Sequence, residues 1–212
     1  MPLFKTIKHN AYTTLYVWKI TESVNELLAG LVLTQNSRSR LAGMKSEQHQ
    51  KGFLAVRCLL LLANTSDQGL YYDAFGKPNL LDGRYVSISH SHDFSAIAVS
   101  NQIIGIDLEL KRDKIIKIAS KFIERNYIFP LAMKPHDYIK SLTVHWGIKE
   151  SIFKIRNEPG ISFKSHIIVK PFQPHDQITK AYLHFRDLVR AFEVHFLEVE
   201  SYVLVYALED NA

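Results

Sequence analysis

Gly105-Ile106-Asp107-Leu108-Glu109 reads as the middle of a β-strand, and the rest of the chain is organised around it. From Ile103 to Lys111, residues Ile104, Ile106, Leu108 and Leu110 fall on one face, while Gly105, Asp107, Glu109 and Lys111 fall on the other, because side chains alternate along a strand. Two carboxylates at i and i+2 then point the same way, roughly 7 Å apart by strand rise. That is close enough to share one hard cation through oxygens or bridging water. The same alternation also describes the solvated outer face of an edge strand. Gly105 weighs toward the first reading, since a glycine inside a strand often marks close approach of another backbone or a ligand.

Downstream, Trp146-Gly147-Ile148-Lys149-Glu150-Ser151-Ile152-Phe153-Lys154 belongs to a helix expected from about His136 to Arg156, with Tyr138, Leu142, His145, Trp146, Ile152 and Phe153 as its apolar positions. Trp146, Glu150 and Lys154 are spaced i, i+4, i+8 and line one stripe, with Lys149 about 100° round from Glu150. The stripe offers an aromatic wall, a carboxylate and an ammonium. Alone, Glu150 and Lys154 are an i,i+4 surface pair worth a few tenths of a kcal/mol. Together with Lys149, Asp107 and Glu109, they complete three carboxylates and two ammonium groups suited to a divalent metal and a phosphate chain.

These two segments together resemble the signature pair of the 4'-phosphopantetheinyl transferases. Two upstream segments agree in order: Phe75-Gly76-Lys77-Pro78 is similar to the family's G-K-P loop, and Ser87-Ile88-Ser89-His90-Ser91 to its S-H-S strand end. The motifs cover roughly residues 40 to 160, and the length is that of the stand-alone, surfactin-synthetase-activator type. The resemblance implies an α+β fold, a pseudo-dimer of two similar α+β halves, 1–104 and 105–212, with the metal motifs in the second half and a ligand cleft between them. It also implies a Mg2+-dependent enzyme that transfers the phosphopantetheine arm of coenzyme A to a serine of an acyl or peptidyl carrier protein.

Composition is compatible and less specific. With 47% hydrophobic residues in 212, there is enough apolar material for one domain or two small ones. No apolar run approaches the ~18 residues that span a bilayer, and the start, Met1-Pro2-Leu3-Phe4-Lys5, lacks a signal peptide's apolar centre. The single cysteine, Cys58, excludes an internal disulfide and fits a reducing cytoplasm. We therefore expect a cytoplasmic monomer with no membrane partner. The net charge of +5 favours an anionic partner: nucleic acid, a nucleotide-like substrate or an acidic protein.

The order of elements reads as a strand (Thr14–Ile20), a helix (Ser23–Leu33), a basic turn and a helix (Glu47–Ala63), then short strands near Leu70–Ala74, Tyr85–Ser89 and Ser95–Val99. After the acidic strand come a helix (Lys114–Arg125), the Trp146 helix, and strands near Ser162–Val169, Lys180–Phe185, Glu193–Glu200 and Tyr202–Leu208. Helices followed by strands occur twice, which is an α+β arrangement.

Each remaining motif has a purely structural alternative. Gly76-Lys77-Pro78 is first a turn; by resemblance, Lys77 and Pro78 meet the nucleotide end of coenzyme A. Ser89 and His90 end a strand; the resemblance places both against coenzyme A and assigns His90 to the 3'-phosphate, a suitable partner for an imidazole. His90-Ser91-His92-Asp93 is no zinc site on this spacing, as no cysteine partner is near, and no G-x-S-x-G elbow supports a hydrolase. Arg57, in the apolar helix Phe53-Leu54-Ala55-Val56-Arg57-Cys58-Leu59-Leu60, needs an anionic partner. The family has an arginine there that meets the nucleotide, so Arg57 is preferred over Arg38, Arg40 and Lys45. No nucleic-acid-binding signature accompanies these charges.

By resemblance, Asp107, Glu109 and Glu150 hold the metal, Lys149 and Lys154 sit against the phosphates, and Glu150 or a water it orients is the base. Two other readings are a non-catalytic relative that binds coenzyme A or a carrier domain, and a basic nucleic-acid-binding domain. The presence of Asp107, Glu109, Glu150 and Lys154 together argues against both.

Overall fold

Two paired antiparallel strands, Leu3–Asn10 (β1) and Thr13–Lys19 (β2), open the computed structural model, which describes residues 3–123 and 134–210. The chain divides into two compact units, Met1–Gln102 and Ile103–Ala212, and the architecture is α+β.

In the first unit, β1 and β2 are followed by Val24–Leu28 (α1), Gln35–Gly43 (α2) and Glu47–Leu62 (α3), then Leu70–Tyr72 (β3), Pro78–Leu80 (β4), Tyr85–Ser91 (β5) and Phe94–Ser100 (β6). The main sheet is antiparallel in the order β1-β2-β6-β5, with β3-β4 as a separate ribbon. Ser46 caps α3 by accepting from the His49 amide, which satisfies one of the donors a helix start leaves open. Leu54, Leu59 and Leu60 of α3 pack in one core with Trp18, Val86 and Ile97 of the sheet.

Three expectations change here. The helix expected over Ser23–Leu33 ends at Leu28, close to the helix-weakening Gly30. The basic turn is a capped helix, α2, with Thr34 accepting from the Ser37 amide. β1 is not legible in the sequence, because Lys5, Thr6 and Lys8 leave Ile7 as an isolated apolar residue with no alternating partner.

In the second unit, Ile104–Leu110 (β7), Lys114–Ile118 (α4) and Pro135–Arg156 (α5) precede Ile167–Val169 (β8), Ile178–Phe185 (β9), Leu188–Val199 (β10) and Tyr202–Glu209 (β11). The helix expected over Lys114–Arg125 closes at Ile118 and passes into a short 3-10 turn; residues 124 and 125 lie outside the described residues. The sheet is antiparallel in the order β7-β11-β10-β9-β8, so the first strand of the unit pairs with its last, with Asp107 opposite Val205. The strand expected over Ser162–Val169 is limited to Ile167–Val169.

Helix α5 lies across β7 and β11, burying Val144, Ile148, Ile152 and Ile155 against Val203, Val205 and Ala207. Pro135 occupies its first turn and Asn157 closes it in the left-handed conformation (φ 49°), the positions where helices tolerate proline and favour asparagine. No described helix is long and apolar enough to cross a membrane.

Candidate functional site

The site in the second unit depends on how closely α5 can approach β7. A Cβ at Gly105 would collide with the carbonyl oxygen of Ser151 and lie 2.8 Å from its carbon; one at Gly147 would lie 2.7 Å from Val205 Cγ2 and 3.6 Å from Asp107 Oδ2. Both glycines therefore remove side chains from the contact between strand and helix. The acidic face of β7 is covered by α5 and is not a solvated edge: Ile104 through Leu108 are all buried.

On this contact stand Asp107 and Glu109 from β7 and Trp146, Glu150 and Lys154 from α5. Asp107 is 4% exposed, and Lys154 Nζ donates to its Oδ1 at 2.8 Å and to the Ile106 carbonyl at 2.9 Å. Trp146 Nε1 donates to Glu109 Oε1 at 3.3 Å. Burial, then the charge of Asp107, pushes the Glu109 carboxyl up to about 7, against the help of Trp146 and Lys154. Burial and Asp107 also raise Glu150. Three mutually repelling carboxylates, Asp107 buried and Glu109 and Glu150 half-buried, with one lysine among them are a set of hard oxygen donors, and Mg2+ fits their chemistry. A cavity of about 210 Å³ beside Glu109 and Trp146 is bordered by Arg112, Lys114 and Ile115.

Lys149 does not join this cluster. It is 4% exposed, and its Nζ donates to the carbonyls of Phe163 and Ile167, each at 2.5 Å. One step along the helix turns it about 100° from Glu150, which is enough to send the ammonium into the loop before β8.

The remaining candidates belong to the first unit. Arg57 is also engaged internally: it is 3% exposed, Nε donates to Asp67 Oδ1 at 3.0 Å, and its guanidinium lies 3.5 Å from the centre of the Phe53 ring. Asp67 further accepts from the Thr34 amide and the Ser37 hydroxyl, at 2.8 and 2.7 Å, and these bonds with Arg57 outweigh the burial that would raise it, so its carboxyl is held low. The anionic partner that Arg57 requires is thus a residue of the chain.

A cavity of about 250 Å³ opens beside Arg57, bordered by Arg40, His49, Phe53, Tyr72 and His90. Arg40 lies over the Tyr72 ring, 4.9 Å from its centre. His90 is exposed and edge-on to His49 at 6.4 Å, above Gly52, where a Cβ would sit 3.1 Å from the imidazole. Ile88 and His90 border this cavity; Ser89, 6% exposed, points to the opposite face by strand alternation. Lys77 is in the turn between β3 and β4, where Asp73 Oδ1 accepts from the Phe75 and Lys77 amides and Gly76 takes a φ of 81°. Pro78 begins β4 opposite Tyr72, so the turn adjoins the cavity through Tyr72 while Lys77 does not border it.

Sequence reasoning missed Trp146 as a hydrogen-bond donor, Gly147 as a close-approach position, and Arg40, His49 and Tyr72 as cavity residues. A tryptophan N–H can only donate, and a lone glycine inside an otherwise well-formed helix is a readable signal. Arg40 was passed over because its helix carries almost no apolar pattern to reveal which way the arginine faces.

No family model matches the chain. The chain is 32% identical over 107 residues to the 4'-phosphopantetheinyl transferase gsp of Aneurinibacillus migulanus, and the match covers 49% of this chain and 45% of that protein. The chain therefore spans less than half the length of the curated relative it matches.

Proposed function

We propose that the protein transfers the 4'-phosphopantetheine arm of coenzyme A to a serine of an apo acyl or peptidyl carrier protein, giving holo carrier and 3',5'-ADP, with Mg2+ as the metal. The observation that carries this reading is the cluster on β7 and α5: Asp107, Glu109 and Glu150 held together with Lys154, one carboxyl raised to about 7. Similarity to a protein named as a phosphopantetheinyl transferase supports it. The reading includes the stand-alone, surfactin-synthetase-activator type and a pseudo-dimer of similar α+β halves. In support, each unit lays one long helix on an antiparallel sheet.

Asp107, Glu109 and Glu150 would hold Mg2+, which when bound draws negative charge from the pyrophosphate that otherwise repels a nucleophile. Glu150, or a water it orients, accepts the proton of the carrier serine; burial raises its carboxyl toward the range useful to a base. Lys154, 29% exposed, stabilises the charge that develops on the departing 3',5'-ADP. In the first unit, Arg40, His49 and His90 offer cationic or donor groups and Tyr72 an aromatic face for the nucleotide end. Arg57 supports that pocket from behind. The cytoplasm and carrier-dependent synthesis of fatty acids, polyketides or peptides are the setting this chemistry implies.

The test is incubation with coenzyme A, Mg2+ and a panel of apo carrier proteins, followed by mass spectrometry. Addition of the arm to at least one carrier is expected. Binding of coenzyme A with no addition to any carrier would replace this reading with a non-catalytic binding protein.

A further inference from the structure

Lys149 is buried, and its Nζ donates to the Phe163 and Ile167 carbonyls. Two charge-assisted hydrogen bonds from one ammonium tie the loop before β8 to the middle of α5. The loop residue held this way has a second role. The Phe163 ring lies 5.5 Å from the Trp146 ring and 5.6 Å from the Phe153 ring, centre to centre, while Phe122 meets Trp146 edge-on at 5.3 Å. Trp146 is thus braced between two aromatic rings, and its N–H reaches Glu109. A continuous physical path runs from the Lys149 ammonium through the Phe163 backbone and ring, and the Trp146 ring and N–H, to a carboxylate of the cluster.

We propose that Lys149 is a positioning residue, one that fixes Phe163 so that Trp146 holds the Glu109 carboxylate in place for the metal, and that it does not contact the phosphates. The proposal rests on the metal assignment above. Residues that orient a ligating carboxylate typically change metal affinity or activity by about 10- to 100-fold when removed, and this is the effect assigned to Lys149.

Lys149→Met keeps the length of the chain and removes the donors; Lys149→Arg keeps a cation and several donors. Both are made in a Trp18→Phe background, which leaves Trp146 as the sole tryptophan. In the metal-free protein, Lys149→Met is expected to shift Trp146 emission to longer wavelength as the ring loosens, with Lys149→Arg returning part of the shift. Mg2+ affinity, read by calorimetry, is expected to fall about 10- to 100-fold, with coenzyme A affinity in the absence of metal unchanged. Phe163→Ala, which leaves Lys149 and the backbone carbonyls in place, should reproduce the emission shift and the loss of Mg2+ affinity; it carries the test if Lys149→Met does not fold. Unchanged emission together with weaker coenzyme A binding in Lys149→Met would overturn the proposal and return Lys149 to the phosphates. Emission and Mg2+ binding are read without turnover, so failure of the wild type to modify any carrier would count against the proposed function and leave this proposal to its own measurements.

Discussion

Asp107 and Lys154 share one hydrogen bond, so the ammonium and a metal would compete for the same carboxylate. Lys154→Ala is therefore expected to lower turnover by about ten- to a thousandfold, the range for one electrostatic stabiliser, while Mg2+ affinity rises. Steady-state kinetics beside a Mg2+ titration measure both, and a loss of Mg2+ affinity would mean that Lys154 supports the metal. Asp107→Asn is expected to abolish Mg2+-dependent transfer while a thermal melt still shows a folded protein, since it removes a proposed ligand and relieves repulsion. Glu109 supplies a pH dependence. Its folded carboxyl titrates at about 7 against 4.5 for the ordinary group, so the folded state holds the proton more tightly. The stability this group adds to the metal-free protein is full below about 4.5 and is lost as pH rises through about 7. Melting temperature measured across that window should decline, and Glu109→Gln should flatten the decline. Mg2+ affinity should climb over the same interval, because the metal takes the ionised form.

At the scale of elements, strand β7 and helix α5 depend on their glycines to different degrees. Gly105→Ala drives a methyl into the Ser151 carbonyl, which is backbone and cannot turn aside; a cost of about 3 kcal/mol or more is expected, the upper end for overpacking. Gly147→Ala meets the Cγ2 and Cβ of Val205 at 2.7 and 3.2 Å; this buried, β-branched side chain gives little, but about 1 kcal/mol of helix propensity offsets part of the crowding, so the cost should be smaller than at Gly105. Denaturant melts of the two variants rank them, and an equal cost would contradict the close approach at Gly105. The long elements were legible for physical reasons: α3 carries a long apolar run, α5 is legible from its length and the motif on it and not from a one-sided apolar stripe, and β7 has strict alternation. α2 was not, because Gln35–Gly43 is almost wholly polar and gains its order from the Thr34 cap and from Asp67, which receives the Thr34 amide and the Ser37 hydroxyl. Asp107, Glu109, Glu150 and Lys154 could be placed together from periodicity and motif. The partners of Lys149 and Arg57 could not, since a backbone carbonyl or a carboxylate ten residues away leaves no periodic trace.

At the scale of the whole molecule, the net charge of +5 acts on encounter more than on chemistry. Modification of an acidic carrier protein is expected to lose about tenfold or more in kcat/KM as salt screens the attraction, with kcat nearly constant; a salt series on one carrier protein checks this, and a fall confined to kcat would sink it. The pairing of β7 with β11 also has a consequence in time. The acidic strand leaves the ribosome well before the strand that completes its ladder, Tyr202–Glu209. At about 5–20 residues per second, Asp107 waits on the order of ten seconds for Val205 to emerge. Until then β7 lacks the only ladder partner it has among the described residues, so the carboxylates proposed to hold Mg2+ are not yet set beneath α5. Chains stalled on the ribosome before Tyr202 should show no Mg2+-dependent protection from protease, and chains stalled far enough beyond Glu209 to clear the exit tunnel should acquire it in a single late step.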